Sequence, residues 1–490
     1  MTPLQILKPE LAWQSIVPLL LLGGLFVFHF LLEILRAPKS RTTGGFWSLL
    51  VSLLGVLYLV LSPDQPVGAV IHQMWIYDGV TRVGSLIIFL SLAAVTLIVP
   101  RSIEESGHLG EYYALLSASA LGMVMLIGSN SLMVSFLALE LFSLALYLLC
   151  IFLPDRSTCQ ESGLKYFILS SLASAVILYG MALIYGGTGT TWLSEIATRV
   201  DKDDLLLMVG SALFAAGFAF KVSAVPFHLW TPDVYQGAPT PVTAFMSVAT
   251  KTAALVALLR FFPMTLGMAS APDDRARVQW WVIMWSLSIL SIIFGNLMAL
   301  SQTNLKRMLA YSGIAQAGYL LSAIFVGTLA GQVSLFFYLL VYLCMNLGAF
   351  VIVAALEEVG ESIQLESMAG LSMRQPYLAA ALAVCLFSLT GLPPTAGFVA
   401  KYQLFSCLMS SPGGPLPKYL VAAALVGSLL SAGYYIRFVV QAYSPGPAPE
   451  PQKQLPATFW AVIGSATLGI FVISFWAQPV LEWMQSLLGG

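Results

Sequence analysis

Apolar runs of about twenty residues follow one another almost without pause along this chain, separated by short stretches of Gly, Pro and charge. A helix needs about 20 such residues to cross a hydrocarbon core of roughly 30 Å. Lipid offers no partner to backbone N–H and C=O groups, so only helices and closed barrels span it. The chain is therefore expected to be an all-α polytopic membrane protein of about 14 transmembrane helices. The spans fall near 12–35, 46–62, 81–99, 112–128, 131–153, 163–185, 205–226, 239–262, 280–300, 308–326, 332–356, 377–410, 418–440 and 458–480. Of 490 residues, 58% are hydrophobic and 9% charged, where a soluble domain carries about 25% charged residues. The first run is too long for a removed signal peptide and lacks a small-residue cleavage site. Connections stay short, which leaves no soluble domain, and 442–457 is a Pro-rich linker.

Other classes of function find no support. A net charge of −1 gives no electrostatic reason for a nucleic-acid partner. Cys150, Cys159, Cys344, Cys385 and Cys407 lie scattered through apolar runs without a CxxC spacing. That argues against zinc, iron–sulfur clusters or a disulfide framework. Walker, dinucleotide-binding and HExxH motifs are missing as well, so the chain is expected to bind no cofactor or metal of its own. Arg36, Lys39 and Arg41 follow the first span, with only Lys8 before it and no Lys or Arg in 63–80, which places the N-terminus outside.

Two spans are expected to be broken. The run from Pro376 to Met409 is too long for one crossing and contains Gly391-Leu392-Pro393-Pro394, whose prolines remove donors and clash with the preceding turn. The seventh span runs into Ala224-Val225-Pro226-Phe227-His228. Broken helices at corresponding places in two halves point to transporter repeats. The expected division is an N-terminal three-helix segment (1–110), a first repeat of spans four to eight (111–263), a second of spans nine to thirteen (279–441), and a linker with the last helix (442–490). The repeats would be inverted, five helices each, with breaks in helices 7 and 12.

Five ionisable residues remain inside spans: Glu140, Lys165, Lys221, Lys251 and Lys401. A charge at a helix centre costs about 3 kcal/mol on insertion scales, so such groups pair, neutralise or face water. Burial disfavours a charged lysine and a carboxylate nearby favours it. A Glu–Lys pair that forms and separates can therefore load and release a proton. Glu140 and Lys251 are central, while Lys221 and Lys401 adjoin the breaks. Lys165, near a span edge, either snorkels to the interface or joins the series. His228 either satisfies freed carbonyls or bridges neighbouring sites. Lys306 and Arg307 read as ordinary loop charges.

The segments FKVSAVPFHLWTPDVYQGAPTPVTAF (220–245), NLKRMLAYSGIAQAGYLL (304–321) and GLPPTAGFVAKYQLF (391–405) resemble the antiporter-like subunits of proton-pumping NADH:quinone oxidoreductase, respiratory complex I. The PDVYQGAPTPVTAF form is most similar to the subunit N branch. The resemblance runs from about residue 110 to 440. It implies that Glu140 pairs with Lys221, that Lys251 and Lys401 hold the central and exit-side positions of a proton route, and that Lys165 matches the sixth-span lysine. It also implies that NADH, FMN, iron–sulfur clusters and quinone reside in partner subunits. The chain's own partners would be other membrane-arm subunits and the lipid of a bacterial inner membrane. There are departures: LAYSGIAQ stands where LAYSSIAH is common, giving Gly313 and a non-titrating Gln316. Gln236 and Ala400 replace a common Glu and Gly. Rival readings are a subunit of a multi-subunit cation/proton antiporter, or an inert scaffold, which the central charges oppose.

Overall fold

Spans wrap a buried centre in this chain, and their order of burial locates the site. The computed structural model describes residues 13–35, 40–62, 69–70, 74–199, 204–267, 275–411, 414–446 and 454–489. Among the described residues, thirteen helices are long and apolar enough to cross a membrane. They are Trp13–Ile34, Ser40–Leu61, Gly79–Thr96, Leu109–Ile127, Leu132–Cys150, Ser157–Thr188, Leu205–Val222, Thr240–Thr265, Arg275–Leu300, Leu305–Val326, Leu329–Val359, Leu416–Tyr443 and Ala457–Phe475. The expected twelfth span is two half-helices, Pro376–Thr390 and Ala396–Met409. The eighth and tenth spans are wholly buried along their apolar windows, the first, thirteenth and fourteenth only to a third. The inner helices thus need no lipid face and can carry polar groups.

Local chemistry sets the helix ends. Asp78, Asp204, Asn304 and Thr328 accept backbone N–H bonds at the starts of the third, seventh, tenth and eleventh spans. The seventh span stops at Val222, short of the expected 226, because Ser223 turns left-handed at φ 66°. A loop then leads to the short helix Trp230–Gly237. The first half of the twelfth span stops the same way at Gly391, φ 89°, where lacking a Cβ removes the penalty. Gly180 and Gly210 let the sixth and seventh spans touch backbone to backbone: a Cβ on either would stand 2.7 Å from the other's carbonyl oxygen.

Several features depart from expectation. The sixth span is longer than 163–185, running Ser157–Thr188. The eighth span contains π-helical turns at Met246–Thr250 and Arg260–Thr265, and the eleventh contains one at Leu343–Leu347. Such turns frequently mark functional sites. Asn346 Nδ2 donates to Ser247 Oγ at 2.8 Å and so bonds two of these turns together. The last expected span, 458–480, ends at Phe475, and a separate helix Ala477–Gly489 follows, packed on the third and eleventh spans. Of the charges used to orient the chain, Lys8, Arg36 and Lys39 lie outside the described residues, as does most of the 63–73 connection.

Two ion pairs anchor the ends of the inner spans. Arg260 grips Asp78 through two bonds of 3.0 and 2.7 Å, tying the eighth span to the third. Its Nε also donates to the carbonyl of Ile127, at the end of the fourth span. Arg374 pairs with Glu361 at 2.8 Å and covers the carbonyls of Ser367 and Ala369.

Candidate functional site

Three of the expected lysines form the buried site, each placed by a helix irregularity. Lys221 sits in the last turn of the seventh span, where unpaired carbonyls favour a cation. Its Nζ donates to Ser143 Oγ at 2.8 Å and Ser170 Oγ at 2.6 Å, over the ring of Phe142. Lys251 follows directly on the π turn Met246–Thr250 and is fully buried. Its Nζ donates to the carbonyl of Gly313 at 2.5 Å and lies 5.7 Å from the centre of the Tyr342 ring. Lys401 lies in the second half of the twelfth span. It turns back to the carbonyls of Leu389 (3.2 Å) and Thr390 (2.8 Å), which the break at Gly391 leaves free.

The expected Glu140–Lys221 pair is not a contact. Among the described residues, no carboxylate lies within ion-pair distance of Lys221, and Glu140 Oε1 has no hydrogen-bond partner. Glu140 lies one turn before Ser143 on the fifth span, and the serines stand where a direct pair was expected. Glu140 also borders the outward-facing stripe of Met133, Leu137, Leu144 and Leu148.

Lys165 is placed apart from the others. Its side chain is 41% exposed and pairs at 2.8 Å with both Glu161 and Asp233. Arg307 reaches the other Asp233 oxygen at 2.7 Å and Gln236 at 3.2 Å, so these groups form a rim. Burial pushes the Asp233 carboxyl up, but its bonds to Lys165 and Arg307 prevail and hold it below the ordinary carboxylate range. His228 stands in the seventh-span break with a ring nitrogen facing the Pro226 carbonyl. Among the described residues its buried Nδ1 has no hydrogen-bond partner, and it bonds to none of the lysines.

Lys306 corrects the sequence reading. It is no loop charge: the side chain is 5% exposed, donates to the carbonyl of Ala238 at 3.1 Å and lies 3.6 Å from Glu357, which Thr240 also bonds. Helical spacing held the signal, since residue 306 lies two turns before Gly313 on the inner face, whereas Arg307 points to the rim.

Hydrogen-bonded polar groups reach from Lys401 toward Lys251. Gly313 and Gln316 are one turn apart on the tenth span, Tyr338 and Tyr342 one turn apart on the eleventh. Tyr338 donates to Gln316 Oε1 at 2.6 Å, and Gln316 Nε2 lies 3.5 Å from the same Leu389 carbonyl that Lys401 bonds. Lys221, Lys251 and Lys401 each meet neutral acceptors only, among the described residues. A proton can therefore leave any of them without breaking an ion pair. Neutral oxygens also offset part of the desolvation that a bare ammonium would suffer.

Comparison with known proteins follows this geometry. The family profile described as NADH:quinone oxidoreductase/Mrp antiporter, TM, matches residues 129–431, which contain every buried lysine. NADH-quinone oxidoreductase subunit N of Rhodospirillum rubrum is 37% identical over 488 residues, covering 96% of each chain. The chain belongs to the subunit N family of NADH-quinone oxidoreductase. A chain of respiratory complex I from Thermus thermophilus superposes with a TM-score of 0.78 at 32% identity, covering 95% of this chain and 98% of that one. A chain of the Mrp complex from Dietzia sp. DQ12-45-1b superposes at 0.82 but is 18% identical, a likeness of fold alone. Within the subunit N family, this chain's in-span lysines and helix breaks are the features with chemistry to explain.

Proposed function

We propose that this chain translocates protons in the membrane arm of an NADH:quinone oxidoreductase, driven by electron transfer from NADH to quinone in partner subunits. The observation that carries the reading is the row Lys221, Lys251, Lys401, each buried, each at a helix irregularity and each bonded to neutral oxygen. Ion pairs would hold a charge in place, and neutral acceptors let it be gained and lost. Ser143, one turn from Glu140, and Ser170 hold the Lys221 ammonium, so carboxylate and ammonium are neighbours without a direct bond. Gln316 and Tyr338 extend polar contacts from the Lys401 site toward Lys251.

Glu140 borders an otherwise apolar outer stripe at mid-span, a costly position against lipid, which fits a neighbouring subunit covering that face. NADH, FMN, iron–sulfur clusters and quinone belong, on this reading, to those partners, and the assembly lies in the bacterial inner membrane. The two halves, 111–263 and 279–441, act as inverted units, each with its own break. A cation/proton antiporter is the weaker reading, since the likeness to the Mrp complex is one of fold while the subunit N relative is 37% identical.

The test is NADH-driven proton uptake by inverted membrane vesicles carrying Glu140→Gln or Lys221→Ala, at matched content of intact complex. Both variants should lose pumping, because each removes a titratable group from the proposed route. Wild-type pumping by both would make these residues structural.

A further inference from the structure

We propose that Gly313 is a positioning residue for Lys251: the side chain it lacks leaves the seat in which the Lys251 ammonium rests, below the hydroxyl of Tyr342. The inference rests on the reading of Lys251 as a proton-carrying group. A Cβ placed on Gly313 would stand 2.8 Å from Lys251 Nζ and 3.4 Å from Tyr342 Oη, and real Cβ atoms essentially never approach another atom within 3.0 Å. The ammonium therefore occupies space that any other residue at 313 would claim.

Two neighbouring glycines show what is particular about this one. A Cβ on Gly318 would meet backbone of the ninth span, at Ser288 and Ile292, and one on Gly295 would meet the backbone of Ala315. Those glycines let two helices approach. Gly313 meets no foreign backbone, only the polar tips of Lys251 and Tyr342. A glycine inside a helix gives up about 1 kcal/mol relative to alanine, and here no close helix crossing accounts for it. The room it provides is room for an ammonium.

A second observation points to the same space. The Tyr342 hydroxyl is buried and has no hydrogen-bond partner among the described residues. A buried hydroxyl left unpaired is destabilising. It sits beside the ammonium and one turn from Tyr338, which is bonded to Gln316. Gly313 therefore sets the ammonium beside Tyr342, one turn from the bonded Tyr338–Gln316 pair that reaches the Leu389 carbonyl and Lys401.

Gly313→Ala and Gly313→Ser in the intact complex test this, with NADH-driven proton uptake read at matched complex content and Lys251→Ala run alongside. Gly313→Ala should displace the ammonium and lower pumping severalfold. Gly313→Ser takes at least as much room but offers the ammonium a hydroxyl, so it should retain more pumping. In a Lys251→Ala background, Gly313→Ala should cause no further loss, because its effect passes through Lys251. Serine as damaging as alanine, or a further loss in the Lys251→Ala background, would overturn the inference and leave Gly313 a packing residue. Normal pumping by Gly313→Ala beside a failed Lys251→Ala would sink this inference alone. Normal pumping by Lys251→Ala itself would instead remove the reading on which it rests.

Discussion

Lys401 and Gln316 share one acceptor: both donate toward the carbonyl of Leu389, from 3.2 and 3.5 Å. That carbonyl is free because the twelfth span breaks two residues later, so a helix break, a lysine and an amide converge on a single oxygen. Gln316→Leu should therefore disturb Lys401 without touching it. The expected result is a partial loss of pumping, with Lys401→Met the more severe because it empties both carbonyls. Proton uptake by vesicles at matched complex content ranks the two, and Gln316→Leu worse than Lys401→Met would contradict the shared-acceptor geometry.

The serines beside Lys221 invite a second test. Hydrogen bonds to charged groups contribute about 1.5–3 kcal/mol each, and Lys221 has two such acceptors, Ser143 and Ser170. Ser143→Ala and Ser170→Ala should each weaken pumping less than Lys221→Ala, and the double variant should approach it. Additive, unremarkable behaviour of all three residues in a double-mutant series would show that the serines do not hold the ammonium.

Lys165 and Lys306 should trade the importance their sequence positions suggest. The Lys165 ammonium is 41% exposed and pairs at the rim, where ion pairs contribute about 0–1 kcal/mol. Lys165→Arg is expected to be nearly silent in assembly and in pumping. Lys306 is buried against Ala238 and Glu357. Lys306→Ala should lower the amount of intact complex in native gels, since it leaves a carbonyl and a carboxylate uncompensated. A reversed ranking would mean that the rim, not the buried contact, matters.

Acid should act on the Asp78–Arg260 clamp. Burial raises the Asp78 carboxyl, but the charge and hydrogen bonds of Arg260, with those of Thr81, hold it below the ordinary carboxylate range. A depressed carboxyl contributes stability that is complete above its unfolded value, near 4, and disappears as pH falls through the lower folded value. Thermal stability of the detergent-solubilised complex should then owe nothing to this pair's titration between about pH 6 and 8. Asp78→Asn should destabilise by roughly 3–5 kcal/mol, as expected when one partner of a buried pair is removed. A thermal shift of the same size at the acid extreme and at neutral pH would argue against an ionised Asp78.

Much of this was legible in the sequence, and the exceptions share a cause. Apolar run length located the spans, Gly391 with Pro393 and Pro394 marked one break and Pro226 the other, and lysines inside apolar runs stood out by their cost. What single residues could not reveal was direction. Lys306 and Arg307 are adjacent and alike in charge, yet a 100° step around the helix sends one inward and one to the rim. The π turn before Lys251 leaves no mark in composition, because it is an extra residue absorbed by the backbone. Glu140 and Lys221 were expected to touch, and only packing shows the two serines around the ammonium. The expected last span, 458–480, takes in only the first residues of the helix Ala477–Gly489, because they read as a continuation of the apolar run.

Lys251 stands at the centre of the account, fully buried and bonded to a bare carbonyl in the middle of the row. The most direct measurement is the proton gradient formed per NADH oxidised by inverted vesicles carrying Lys251→Ala, at wild-type content of intact complex. The account expects the complex to assemble and the gradient to collapse, with electron transfer slowed or uncoupled. A wild-type gradient at wild-type electron-transfer rates would show that no proton needs this lysine, and the row of buried lysines would then be a structural feature rather than a route.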